Sequence, residues 1–148
     1  MTNNKILLCE DNKKDELLTL RALESVNLGN EVFVARDGQE AVEYLFPSDG
    51  SEPRPESDLP LVVLLDLRMP RLDGFQVLKR IRDHPRTKNL AVVVLTSSDE
   101  EKDIVRSYEL GANSYVRKPV EFEEFGKAIT DLGLYWVITN EPMPRTGA

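Results

Sequence analysis

The sequence predicts an α/β protein in which a parallel sheet lies between two layers of helices. Five short runs rich in β-branched and other apolar residues recur along the chain, at 5–9, 31–35, 61–65, 91–95 and 113–116. Most of them are continuous rather than alternating, which is typical of strands that are buried on both faces. Segments with helical spacing separate the runs, and crossovers of this length join parallel strands.

Capping residues and breakers indicate the first three helices. A leucine-rich segment at 15–26 follows the first apolar run. Asp37-Gly38 opens the second helix, and Asp73 is expected to cap the third. The third helix should end before Pro85, because the residue that precedes a proline avoids the helical conformation.

The last two helices are predicted from their spacing. Ser98 and Glu101 form a capping-box arrangement at the start of the fourth helix. That helix carries Ile104, Val105 and Tyr108. A stripe with steps of three and four residues indicates a fifth helix from about Glu121. The members of this stripe are Phe122, Phe125, Ile129, Leu132 and Trp136.

The composition indicates a globular, acidic domain of ordinary size. The 148 residues include 19 basic and 26 acidic side chains, which give a net charge of −7. The basic residues are scattered, which argues against nucleic acid as a direct partner. No apolar run approaches the ~20 residues of a membrane span. Cys9 is the only cysteine, so no internal disulfide can form and we expect a cytoplasmic protein.

Polar residues follow four of the five predicted strands. Glu10 and Asp11 come after the first strand, Asp66 after the third, Thr96 after the fourth and Lys118 soon after the fifth. Each of them alone has an ordinary interpretation as a cap, a strand residue or a solvated charge. The carboxyl ends of parallel strands meet at one edge of the sheet, however, and this edge is where ligands bind. We therefore expect the five side chains to converge on one site.

The predicted cluster suits phosphoryl chemistry. Neighbouring carboxylates repel one another, which raises their pKa values unless a cation is present. Mg²⁺ takes oxygen ligands and is usually held by one or two carboxylates together with a phosphoryl group. Lys118 would supply a second positive charge, and an aspartate can itself become an acyl phosphate. The sequence thus favours a Mg²⁺ (or Mn²⁺) site that accepts a phosphoryl group.

Four motifs, taken in order, resemble the receiver domains of two-component response regulators. They are CEDN at 9–12, LLDLRMPRLDG at 64–74, VVLTSS at 93–98 and YVRKP at 115–119. The resemblance extends from about residue 5 to residue 132. It implies the flavodoxin-like receiver fold, a doubly wound five-stranded parallel sheet in the order 2-1-3-4-5 with five helices. It also implies a protein that catalyses only its own phosphorylation and dephosphorylation, and is otherwise not an enzyme.

The resemblance implies a role for each residue of the predicted cluster. Asp66 matches the phosphoacceptor, and Glu10 and Asp11 match the acidic pair that binds Mg²⁺. The backbone carbonyl of Arg68 matches a further metal ligand. Thr96 matches the switch hydroxyl that hydrogen-bonds the phosphoryl oxygen.

Three further matches and two departures complete the comparison with the family pattern. Lys118 matches the lysine that pairs with the phosphate, Tyr115 matches the aromatic whose ring moves inward on activation, and Pro119 implies a cis Lys–Pro bond. Ser97 stands where the family often has alanine, and the side chain of Arg68 is long and cationic. Both positions flank the phosphate in family members, so they bear on the lifetime of the phosphoryl group.

The C-terminal part of the chain bears on output and partners. We expect a receiver domain over 1–137 and a tail over 138–148, without an output domain. The proline-bearing loop at 47–60 and the aromatic tail look most like the small receivers that accompany phytochrome-type sensor kinases, which implies such a kinase as the partner. A surplus of apolar side chains at the end of the last helix predicts a homodimer or partner surface. These side chains are Leu134, Tyr135, Trp136, Val137 and Ile138.

Three alternatives come from other classes. A phosphatase of the haloacid dehalogenase type also uses a strand-end aspartate and Mg²⁺, but it needs a second aspartate where Arg68 stands. A flavin carrier shares the sheet but needs a loop rich in Ser, Thr and Gly, whereas 11–14 is DNKK. A receiver-shaped interaction module that is never phosphorylated stays open, and labelling with a small phosphodonor distinguishes it.

Overall fold

The computed structural model describes residues 5–25, 31–47, 52–97 and 100–118. Within these ranges five strands alternate with four α-helices. They are β1 (Ile6–Cys9), α1 (Lys13–Ser25), β2 (Val32–Ala35), α2 (Gly38–Leu45), β3 (Val62–Asp66), α3 (Gly74–Arg82), β4 (Ala91–Thr96), α4 (Glu101–Glu109) and β5 (Ser114–Arg117). One turn of 3₁₀ helix, Glu56–Asp58, precedes β3. None of the described helices has the length and apolar character that crossing a membrane requires.

The strands form one parallel sheet in the order β2-β1-β3-β4-β5. Each predicted apolar run is a strand, and the predicted fold class and strand order are confirmed. β1 lies between β2 and β3, with Ile6 beside Val32 of β2 and Val62 of β3. The order reverses between β1 and β3, which is where an open sheet of this kind forms a crevice at its carboxyl ends.

Alternate residues of the central strands enter two separate cores, which explains why the runs are continuous. Val63 and Leu65 of β3 pack with α2 and α3 on one face of the sheet. Val62 and Leu64 pack on the other face with α1, which contributes Leu23. Apolar contact on both faces removes the polar alternation that a half-exposed strand would show.

Side-chain caps hold the first turns of α2 and α3. Asp73 accepts a hydrogen bond of 2.9 Å from the Gln76 backbone N–H, and the Gln76 side chain accepts one of 3.0 Å from the Asp73 N–H. This capping box confirms the predicted start of α3. Asp37 likewise accepts a bond of 2.8 Å from the Glu40 N–H at the start of α2.

Helix α4 differs from its predicted pattern. Its N-cap is Glu100, two residues later than the predicted cap. Val105 and Tyr108, expected as part of its apolar pattern, are 46% and 49% exposed, and the buried residues of α4 are Asp103 and Ser107. The physical reason is that Asp103 has a cationic partner outside the helix, and periodicity cannot reveal such a pairing.

The loop before β3 is fastened at the amino-terminal end of the sheet. The Arg54 guanidinium donates to Asp58 at 2.7 Å and lies over the Tyr44 ring at 4.1 Å. Lys5 forms an ion pair with Asp58, and Arg86 donates to the Pro53 carbonyl at 2.8 Å. The part of this loop that the structure describes therefore packs away from the carboxyl ends of the strands.

Four predictions concern residues outside the described ranges. They are the fifth helix, the cis bond before Pro119, the domain boundary at 137/138 and the apolar surface formed by Leu134, Tyr135, Trp136, Val137 and Ile138. They stay predictions.

Candidate functional site

Three carboxylates converge at the carboxyl ends of β1 and β3. Asp66 is the last residue of β3, and Glu10 and Asp11 directly follow β1. Cys9 pairs in register with Leu65, which brings the next residues of the two strands to the same level. One oxygen from each of the three carboxylates lies within 4.8 Å of the others. Glu10 and Asp66 are buried and Asp11 is exposed, so the cluster opens to solvent on one side.

The Lys118 ammonium lies among these acids although it is far away in the sequence. It pairs with Glu10 and lies 3.1 Å from Asp66 Oδ2 and 3.1 Å from Asp15 Oδ2. The backbone N–H of Lys118 donates to the Thr96 carbonyl at 2.8 Å, which fixes the chain just beyond β5. The side chain is almost wholly buried, so its charge acts on the carboxylates with little screening by water.

Burial and charge oppose each other in the pKa values of the cluster. Burial raises the pKa of Glu10 to about 7, against the attraction of the Lys118 ammonium. Burial also raises the pKa of Asp66, and Lys118 again opposes the shift. Burial alone would lower the pKa of Lys118, but Glu10, Asp66 and Asp15 together raise it. Burial thus favours the protonated forms of Glu10 and Asp66, whereas the neighbouring carboxylates favour the charged form of Lys118.

The donor set fits a hard divalent cation. Glu10, Asp11 and Asp66 offer only carboxylate oxygens, the ligands that Mg²⁺ and Mn²⁺ prefer. A bound cation would stabilise the ionised carboxylates of Glu10 and Asp66 and so lower their pKa values, which burial raises. The exposed side at Asp11 leaves room for the water ligands that Mg²⁺ retains.

Arg68 contacts the acid cluster through its backbone and helix α4 through its side chain. Its N–H donates to Asp66 Oδ1 at 3.3 Å, and its guanidinium donates to Asp103 Oδ2 at 2.7 Å. Gly74, at the start of α3, supports the same loop from behind. A Cβ atom at Gly74 would lie 2.4 Å from the Asp66 carbonyl oxygen and 2.7 Å from the Leu67 Cα.

Thr96 and Tyr115 lie on the two strands beyond β3. Thr96 is the last residue of β4 and is fully buried. Asp66 pairs in register with Leu95, which places Thr96 one residue further along the neighbouring strand. Tyr115 is partly buried in β5 and packs against the core that contains α2 and α3. Thr96 thus ends the strand next to that of Asp66, and Tyr115 lies one strand further out.

Asp15 is a site residue that the sequence analysis missed. The Asn12 side chain accepts from the Asp15 N–H at 3.0 Å, and the Asn12 N–H donates to Glu10 Oε2 at 3.2 Å. These two bonds join the end of β1 to the first turn of α1 and direct Asp15 towards Lys118. Its position four residues after Asp11, on the first turn of the next helix, is the signal that could have identified it.

A strand-end aspartate with an acidic pair, a hydroxyl and a lysine on a doubly wound parallel sheet is the arrangement of the receiver class of signalling domains. The chain belongs to the response regulator receiver domain family, whose model matches residues 6–130. The family predicted from the four sequence motifs is thereby confirmed.

Similar proteins include several phytochrome response regulators. Response regulator Rcp1 of Synechocystis is 36% identical over 134 residues, which cover 90% of this chain and 89% of Rcp1. The bacteriophytochrome response regulator AtBRR is 53% identical, with a TM-score of 0.78 over 92% of this chain and 96% of that one. The phosphorylated cyanobacterial phytochrome response regulator RcpA is 35% identical, with a TM-score of 0.74 over 93% and 96%. The predicted likeness to phytochrome-associated receivers is confirmed.

A metal-bound relative bears on the acid cluster. A crystal structure of the Mn²⁺-bound form of response regulator Rcp1 is 34% identical, with a TM-score of 0.70 over 90% of this chain and 94% of that one. Receiver domains bind Mg²⁺ or Mn²⁺ at an acidic pocket, and Glu10, Asp11 and Asp66 form such a pocket here.

Proposed function

We propose that this protein is a response regulator that accepts a phosphoryl group on Asp66 from the phosphohistidine of a sensor kinase of the phytochrome type. The observation that carries the proposal is the convergence of Glu10, Asp11, Asp66 and Lys118 at the carboxyl edge of the sheet. The likeness to AtBRR and RcpA, both phytochrome response regulators by name, supports the choice of kinase.

In the proposed reaction an oxygen of the Asp66 carboxylate attacks the phosphorus atom. An O–P bond forms, the N–P bond of the phosphohistidine breaks, and its electron pair returns to the imidazole nitrogen. Bound Mg²⁺, held by Glu10, Asp11, Asp66 and the Arg68 carbonyl, would neutralise charge on the transferring oxygens. The Arg68 N–H and the Lys118 ammonium, which both contact Asp66 carboxylate oxygens, orient the nucleophile.

The phosphoryl group adds nearly two negative charges and three acceptor oxygens to the site. Lys118 and the Thr96 hydroxyl would bind these oxygens, and their movement would draw the Tyr115 ring inward. The signal would leave through a changed protein surface in the cytoplasm. We propose residues 1–137 as the receiver and 138–148 as a tail, with a homodimer formed through the apolar residues 134–138.

Labelling with a small phosphodonor tests the proposal without the kinase. With acetyl phosphate and Mg²⁺, we expect intact-mass analysis to show one added phosphoryl group, which chelation of the metal abolishes. Asp66→Asn should remove the label because it removes the nucleophile while keeping the shape. Asp83→Asn is the matched control, since Asp83 is an exposed aspartate that pairs only with Lys79 among the described residues.

The same experiment decides between this proposal and a receiver-shaped module that is never phosphorylated. Undiminished labelling of Asp66→Asn would reject the assignment of the nucleophile, and absence of label from the unmodified protein would favour the interaction module. The haloacid dehalogenase alternative gains no support, because the side chain of Arg68 pairs with Asp103 and carries no carboxylate.

A further inference from the structure

Among the described residues, polar side chains join helix α4 to neighbouring parts of the domain. The residues on its buried side are Asp103 and Ser107, and the Ser107 hydroxyl donates to the Asp103 carbonyl at 2.8 Å. The Arg106 guanidinium lies over the Phe75 ring of α3 at 4.1 Å. Because one of these contacts involves a buried carboxylate, we expect its loss to affect the stability of α4.

The ion pair between Arg68 and Asp103 is the contact that leads from α4 to the acid site. The Asp103 side chain is 7% exposed, whereas that of Arg68 is 61% exposed. Solvent therefore surrounds most of the Arg68 side chain, whereas the Asp103 carboxylate is buried against the domain. The backbone N–H of Arg68 donates to the Asp66 carboxylate, and its side chain donates to Asp103. Arg68 therefore contacts both the acid site and helix α4.

We propose that Arg68 is a positioning residue that holds α4 in place through Asp103 and is drawn away when Asp66 is phosphorylated. The inference rests on the proposed function of Asp66. A phosphoryl group would place nearly two negative charges two residues from Arg68, and guanidinium binds phosphate oxygens strongly and in bidentate fashion. Asp103 would then lose the Arg68 guanidinium as a partner while its carboxylate is still buried, which costs free energy. The first turn of α4 relieves that cost by moving the carboxylate into water.

This link is separate from Thr96 and Tyr115, which lie on β4 and β5. It acts on the side of α4 that faces the loop after β3. Its consequence is a change in how α4 presents Val105 and Tyr108, the apolar side chains that are exposed on that helix. The proposed link thus assigns a specific role to the long cationic side chain of Arg68, which departs from the family pattern.

Hydrogen exchange of peptides that cover 100–109 tests the proposal. Beryllium fluoride with Mg²⁺ serves as the phosphoryl mimic. In the unmodified protein we expect the mimic to speed exchange in α4 by about threefold to tenfold, the effect of losing one charged hydrogen bond. In Arg68→Ala and in Asp103→Asn, exchange should already be fast without the mimic and should change little when it is added.

Arg71→Ala is the matched control. Arg71 lies in the same loop, is 60% exposed and pairs with Asp37 at 3.4 Å rather than with α4. This variant should behave like the unmodified protein. If α4 exchanges at the same rate in the unmodified protein and in Arg68→Ala, with and without the mimic, the proposal is wrong. Thermal unfolding of each variant shows that the domain stays folded.

Failure of the proposed function would look different. The mimic would then give no protection in peptides that contain Asp66, while the rate difference between Arg68→Ala and the unmodified protein without the mimic would persist. Loss of that difference as well would reject the link itself. A protected Asp66 segment with an unresponsive α4 in the unmodified protein would reject the release of Arg68 by phosphorylation.

Discussion

Asp15 is the carboxylate of the site with the most solvent contact among the three that surround the Lys118 ammonium. Its partner Lys118 also contacts Glu10 and Asp66, two residues of the acid pocket. Part of the positive charge of Lys118 is therefore offset by an acid that belongs to a helix and not to the pocket. Without Asp15, that charge would act more fully on any cation bound nearby.

We expect Asp15→Asn to weaken Mg²⁺ binding about threefold, because a less neutralised Lys118 repels the metal. The change keeps the shape of the side chain and its place on the first turn of α1. Isothermal titration calorimetry measures the affinity, and Asp83→Asn serves as the surface control. An unchanged affinity in Asp15→Asn would show that Asp15 does not influence the metal.

Glu10 makes metal binding depend on pH near neutrality. The pKa of its carboxyl in the metal-free protein is raised to about 7 by burial, and the metal requires the ionised form. A proton therefore competes with the metal below pH 7. We expect the apparent Mg²⁺ affinity to level off above this pH and to fall by up to about tenfold for each unit below it.

Calorimetry at pH 6, 7 and 8 in buffers with different ionisation enthalpies checks this expectation. Binding of the metal should release protons at pH 6 and few at pH 8, because the Glu10 carboxyl is protonated mainly below its pKa of about 7. A constant affinity and no proton release across this range would mean that Glu10 is already ionised.

The start of helix α3 is pressed against the end of β3, where the proposed phosphoacceptor Asp66 lies, and against the loop that follows. Gly74→Ala would place a Cβ 2.4 Å from the Asp66 carbonyl oxygen and 2.7 Å from the Leu67 Cα, both backbone atoms that cannot turn aside. We expect a loss of about 2–4 kcal/mol in the free energy of unfolding.

Urea denaturation measures that loss, and acetyl phosphate labelling shows whether the displaced loop still accepts the phosphoryl group. Gln76→Ala is a useful comparison, since it weakens the capping box of α3 without touching Asp66. A variant of Gly74 that keeps full stability would show that α3 can shift at little cost.

The elements also show what a sequence can predict and what it cannot. β3 is one apolar run because both its faces are buried, so the sequence predicts the strand and, from it, the position of Asp66 at its end. The Arg68–Asp103 pair and the orientation of Asp15 escaped prediction because they depend on which helix meets which loop. Val105 and Tyr108 are exposed on α4, whereas the periodicity of this helix gave the opposite expectation.

The apolar residues 134–138 bear on self-association of the chain. We expect a homodimer at micromolar concentration, with the apolar residues 134–138 in its interface, because a monomer that exposed them would carry an unusually large apolar patch. Tyr135→Ala and Val137→Asp should shift the population towards monomer in sedimentation experiments. A monomer with and without phosphodonor would reject the dimer, and a dimer that tolerates both changes would place the interface elsewhere.

The position of β1 inside the sheet sets an order of events during protein synthesis. β1 is made before both of its neighbours, and its second partner begins at Val62, 56 residues after Ile6 (62 − 6). At ~5–20 residues per second, the nascent strand waits about 3–11 s for β3. During that interval the backbone and apolar side chains of Ile6–Cys9 have at most one partner strand, and unpaired strand edges are where chains associate wrongly. Association of β1 with the wrong chain is therefore most favoured before β3 has been made.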